Sequence, residues 1–189
     1  QRQMCIRDRY YQEALDYMLK NMPDQDPSQL YSSLAEYYRN TQKDYATALD
    51  YCEKALKSAK TERNIAQAMI EKCLILFRQG RIDEFNDCYK EAVQMADRCK
   101  LSANVSLLIA HIYRNILDKQ YEQAHAHADQ LPNKGPQYHA YIYEYAKDYP
   151  NAIKYLRKYH QQQDSTNNLL QLSDIAELNT PVSYTHLTL

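Results

Sequence analysis

The stretch DYATALDYCEKALKSA, Asp44 to Ala59, decides the fold. Tyr45 stands three residues before Ala48, and Ala48, Tyr51, Cys52, Ala55, Leu56 and Ala59 follow at steps of three and four, which an α-helix gathers on one face. That face is built for burial. Small side chains at Ala48 and Ala55 leave gaps about two turns apart, so a neighbouring helix can approach closely and set its own side chains between them. SSLAEYYRN, Ser32 to Asn40, supplies the neighbour, with Leu34, Ala35 and Tyr38 on one face. The two segments predict a helix hairpin closed by a polar turn at Thr41 to Asp44.

A hairpin of this kind cannot bury its face alone and must recur. An aromatic or aliphatic residue followed three later by Ala or Phe, and then by a helical apolar stripe, appears at Tyr11/Ala14, Tyr45/Ala48, Ile82/Phe85, Tyr121/Ala124 and Tyr149/Ala152. The steps between the second members are 34, 37, 39 and 28. In Leu34, Ala35, Tyr38, Tyr45, Ala48, Cys52 and Ala55 the chain resembles the tetratricopeptide repeat, a unit of about 34 residues made of two antiparallel helices. The turn from Tyr38 to Tyr45 is one residue longer than that family's usual spacing. The resemblance implies an all-α solenoid of stacked hairpins wound as a right-handed superhelix.

Composition agrees with helices. The 189 residues contain 2 Gly and 6 Pro, too little turn chemistry for strands, and Ala, Leu, Lys, Glu, Gln and Tyr abound. With 23 basic against 24 acidic side chains, no bulk field recommends nucleic acid or an anionic membrane as partner. No apolar run reaches the roughly 18 residues of a membrane span. The 5 cysteines form no C-x-x-C pair and no zinc spacing, and Cys52 and Cys73 fall where the repeat needs a small buried residue, which predicts packing roles.

Outward from the central hairpin, residues 10–160 read as about four and a half hairpins. Tyr10 to Met22 is a second helix without its first, with Tyr11, Ala14, Leu15, Met18 and Leu19 as its buried face. Ser28 and Thr61 are expected to cap the next first helices. Gly80 supplies a hairpin turn, Phe85 replaces the usual alanine, and Pro132 shortens a helix. YRN at Tyr113 to Asn115 echoes YRN at Tyr38 to Asn40. From Gln161, Leu169, Leu172, Ile175 and Leu178 mark a further linker or signalling helix over 161–180, whose polar start implies a break or a long continuation of the helix before it. The ends, 1–9 and 181–189, resemble translated sequencing-adapter sequence and are expected to be non-native tails, which leaves a fragment from about Tyr10 to Thr180; a genuine short tail is the alternative.

No catalytic or cofactor site is expected: there is no G-x-S-x-G, no phosphate-cradling glycine loop and no H-E-x-x-H. His125 and Asp129 share a helix face while His127 points away, so a metal would need a third ligand from His111 or His139, and packed or solvated histidines are the plainer expectation. What remains is the concave surface. In the family resembled, first helices line a groove, which here implies a peptide or protein partner met by Glu36, Arg39, Asn40, Glu71, Phe77, Arg78, His111, Arg114, Asn115, Tyr138, Tyr141 and Tyr145. Arg39, Arg78 and Arg114 are expected to form a basic ladder along it.

The closing segment, through Tyr159, Asp164, Ser165, Leu172, Ile175, Glu177, Leu178 and Asn179, is similar to the region before the membrane helix in bacterial sensor histidine kinases with a repeat-built extracytoplasmic half. That resemblance implies a signal-input fragment of a two-component system, without its kinase core. A cytoplasmic repeat scaffold, or the repeat region of a transcription regulator, is the alternative, and cysteines that look reduced lean toward it.

Overall fold

The computed structural model describes residues 6–179 apart from 23 and 103, with side-chain surroundings for 9–165. It is all-α, with 82% helix and no strand among the described residues. The helices are α1 (Ile6–Asn21), α2 (Ser28–Tyr37), α3 (Tyr45–Ser58), α4 (Glu62–Arg78), α5 (Ile82–Arg98), α6 (Val105–Leu117), α7 (Tyr121–Ala128), α8 (Pro136–Tyr145) and α9 (Tyr149–Asn179). Of the two expected tails, 181–189 lies outside the described residues, whereas α1 already begins at Ile6. The side chains of Leu169, Leu172, Ile175 and Leu178 also lie outside them.

The helices pack in adjacent pairs, α2 with α3, α4 with α5, α6 with α7 and α8 with α9. First helices also touch in sequence, α2 to α4, α4 to α6 and α6 to α8. Each pair therefore leans on its neighbours. The small-residue stripe does what its spacing predicts, since Ala48, Cys52 and Ala55 are fully buried and so are Phe85 and Ala124. Phe85 finds room with the Phe77 ring edge-on to it, at 5.4 Å between centroids.

At the ends the stripe fails. Ala14 is exposed, Leu19 is 48% exposed, and of the face expected on α1 only Leu15 is buried. Tyr149 and Leu156 on α9 are likewise open. The physical reason is missing cover: α1 packs chiefly on α2 alone, and no described helix flanks its other side.

The turns repeat a single device. A residue in the left-handed region ends the helix, and the following N–H returns to a carbonyl five residues back: Arg81 to Leu76, Gln120 to Asn115, and Asp148 to Tyr143. In the first complete hairpin the bond runs six residues back, from Asp44 to Tyr38, because Tyr38–Gln42 forms a π turn. The extra residue noted in the sequence is absorbed there, by the i→i+5 widening that an insertion into a helix produces. Thr61 and Asn104 cap α4 and α6 through their side chains. Ser28 does not cap α2; its N–H instead donates to Asp26 Oδ1 at 2.9 Å. Pro132 ends α7 as predicted, leaving it eight residues long. Of the break or long continuation expected at Gln161, the helix shows the continuation: α9 runs through the segment unbroken.

Candidate functional site

The first helices of successive pairs, joined by α9, wall a cleft of about 420 Å³. Arg39, Asn40 and Lys43 come from the end of α2 and its turn, Arg78 from α4, and Tyr113 from α6. Gln137, Tyr138 and Tyr141 come from α8, with Tyr159 and Gln163 from α9. A second cleft of about 430 Å³ shares Arg39, Asn40, Gln137, Tyr138, Tyr159 and Gln163 and adds an apolar side at Val105, Ile109, Leu131 and Pro136. The two form one groove.

Five residues expected in a groove therefore line the first cleft: Arg39, Asn40, Arg78, Tyr138 and Tyr141. Glu36 lines the adjoining one. Phe77 lies beneath the surface, and Glu71, itself buried, only edges a separate cleft beside Glu36. The Arg39 Nε donates to Glu71 Oε1 at 2.5 Å, and its Nη1 donates to Asn40 Oδ1 at 2.7 Å. Burial pushes the Glu71 carboxyl upward against the pull of Arg39, while Glu71 holds the guanidinium protonated against its own burial. Phe77 stacks on Tyr113 with centroids 4.0 Å apart and forms the floor under Tyr141.

Arg78 is the cation this floor presents. Its Nε and Nη2 each donate to the Tyr45 hydroxyl at 3.3 Å, and the guanidinium lies 5.7 Å from the Tyr141 ring centre. No carboxylate reaches it among the described residues. Burial would lower its pKa, but the Tyr45 bond and the surrounding hydroxyls raise it, so it stays charged. Burial also raises Tyr138 and Tyr141, which present neutral hydroxyls.

The remaining expected residues stand elsewhere. Arg114 donates to both Asp118 oxygens, at 2.9 and 2.7 Å, and to Asn86 Oδ1 on α5, so the basic ladder stops at two. His111 Nδ1 meets the Tyr89 hydroxyl at 2.6 Å, and Asn115 serves the α6 turn through its carbonyl. Tyr145 lies at the cleft's edge, 3.3 Å from the Tyr141 hydroxyl. Lys43, Tyr113, Gln137, Tyr159 and Gln163 were not foreseen. The Tyr159 and Gln163 spacing of four was the available signal, and Gln163 Nε2 donates to the Tyr159 hydroxyl at 3.1 Å.

Of the two histidines considered as third ligands, His139 meets the His125/Asp129 pair, whereas His111 meets His127. His125 Nδ1 and His139 Nδ1 are 2.7 Å apart, and His139 Nε2 is 3.4 Å from Asp129 Oδ1. That network assigns the protons: His139 Nε2–H faces Asp129, so its Nδ1 accepts from His125. His111 stacks on His127 at 5.1 Å. No group of three His, Cys, Asp or Glu among the described residues is arranged to hold a metal ion. No described helix is long and apolar enough to cross a membrane.

The chain is thus an all-α protein of paired helices with a tyrosine-lined groove that also carries Arg39, Lys43 and Arg78. Set against known proteins, it matches no family model, no curated protein and no solved structure.

Proposed function

We propose that the pairs form a tetratricopeptide-like solenoid whose concave groove binds an extended peptide or protein segment, as the ligand-sensing input of a bacterial sensor histidine kinase. The observation that supports this reading is the cleft itself, to which the first helix of every complete pair contributes. An anionic group entering it meets Arg78 without breaking an ion pair, because Glu71 engages Arg39 rather than Arg78. The tyrosine faces offer rigid contact area at low entropic cost. Tyr159 and Gln163 wall the cleft on the same helix that runs on to Asn179, so a ligand that favours one placement of α9 biases its far end.

A scaffold, or the repeat region of a transcription regulator, is the second reading. The observation favouring it is that Cys52, Cys73, Cys88 and Cys99 are free, whereas an oxidising compartment tends to pair cysteines.

Peptides selected from a phage-displayed random library on the intact chain test the groove. Arg78→Gln is expected to weaken the selected peptides about tenfold or more while leaving the melting curve in place. Unchanged affinity would remove the groove assignment. The flanking gene sequence separates the two readings: a membrane span and a kinase phospho-acceptor histidine downstream fit the sensor, and a helix-turn-helix fits the regulator.

A further inference from the structure

Cys73 on α4 and Cys88 on α5 face each other across the hairpin, with Sγ atoms 3.0 Å apart. Both are free thiols. Covalent sulfurs sit at about 2.05 Å, so closing this pair needs a sulfur movement of about 1 Å between two helices already in contact. The two differ in access: Cys73 is fully buried, whereas Cys88 is half-buried on the outer helix. Cys73 donates to the Cys88 sulfur, which with nearby Lys72 draws the Cys88 thiol downward, while the Cys73 thiol is driven up by that bond and by burial. Cys52, by contrast, is buried on α3 with its thiol pushed up by desolvation.

We propose that Cys73 and Cys88 form a reversible oxidation site for a hydroperoxide. The Cys88 thiolate attacks one peroxide oxygen; the O–O bond breaks, the alcohol or water leaves with a proton, and Cys88 becomes a sulfenic acid. The Cys73 sulfur then attacks the Cys88 sulfur, the S–O bond breaks, and the hydroxyl departs as water with the Cys73 proton. Two thiols and one hydroperoxide give one disulfide, one alcohol or water, and one water. Oxidation thus clips α4, which carries Glu71 and Arg78, to its partner helix, and a thiol reductant reverses it.

The test uses the whole chain, reduced, desalted and exposed under native conditions to equimolar hydrogen peroxide, then alkylated and digested with trypsin. The expected product is one linked pair, CLILFR (73–78) with IDEFNDCYK (82–90), abolished by dithiothreitol. The melting temperature should rise by roughly 5–10 °C on oxidation, as a clip closing a loop of this length implies. Cys88→Ser should lose the link and the shift, while Cys99→Ser keeps both; Cys88 is the half-buried member, so its replacement preserves the fold. Separate alkylation of Cys73 and Cys88 after peroxide, a link through Cys52 or Cys99 instead, or Cys88 carried to sulfinic acid with no link would each overturn the proposal.

Discussion

Arg39 and Glu71 bury a complete ion pair between α4 and the π turn that follows α2, with side chains only 5% and 6% exposed. Such a pair adds little net stability, because desolvation offsets most of the attraction, but breaking it strands a charge. Arg39→Met or Glu71→Leu alone should therefore cost about 3–5 kcal/mol. The double variant should recover most of that loss. Urea unfolding followed by circular dichroism reads both, and strictly additive losses in the double variant would refute the coupling.

The left-handed turn residues give a second prediction. Lys43, Lys119 and Lys147 hold φ of 56°, 57° and 61° where Gly80 holds 74°. A side chain there costs roughly 1–2 kcal/mol, part of which glycine returns through its looser unfolded chain. Lys119→Gly and Lys147→Gly should each stabilise the protein by about 0.5 kcal/mol. Gly80→Ala should cost about 1 kcal/mol, although an added Cβ would meet nothing within 4 Å. A neutral Gly80→Ala in denaturant midpoints would show that the backbone is not the constraint.

These turns also explain what the sequence could disclose. Small residues at helical spacing, and an aromatic or aliphatic residue placed after each hairpin turn, express packing that a period of about 3.6 makes visible in one dimension. The groove residues required knowledge of partners as well. Arg39, Arg78 and Arg114 each stand four after a buried residue, Ala35, Leu74 and Ala110, so spacing along the helix does not separate them. What separates them is what each meets in space: Glu71 for Arg39, the Tyr45 hydroxyl for Arg78, and Asp118 with Asn86 of α5 for Arg114. Nor does a lone arginine in sequence announce a carboxylate 32 residues away. The Cys73 and Cys88 pairing was hidden for the same reason, since it depends on how two helices are rotated about their axes.

Asp26 ties two neighbouring turns together. Its carboxylate accepts from the N–H groups of Ser28 and Lys60, both at 2.9 Å, and from Asn64 Nδ2 at 2.8 Å. Burial alone would raise its pKa, but these bonds hold it well below the ordinary carboxylate range. Asp26→Ala should cost about 1–2 kcal/mol at pH 7. The folded pKa is the lower one, so the contribution is whole above about pH 4 and lost below it. A variant whose deficit against the parent stayed constant down to pH 3 would contradict this.

The histidines act at higher pH. His111, His125, His127 and His139 are all held below their ordinary value, chiefly by burial, with the neighbouring histidine adding to it for His111 and His125; Asp97 and Asp129 pull the other way. The folded state therefore binds fewer protons than the unfolded chain just below pH 6.5, and stability must fall as the pH drops through that window. Two protonated rings at the 2.7 Å contact of His125 and His139 would have no acceptor between them, and His127 Nδ1 is already buried without a partner. The eight-residue α7 carries two of the four rings and should open first. Amide exchange at pH 7.5 and 5.5 should show protection lost earliest in residues 121–128, with the melting temperature lower at the acidic pH. His139→Gln, which cannot charge, should flatten that pH dependence, and a slope identical to the parent's would place the acid sensitivity elsewhere.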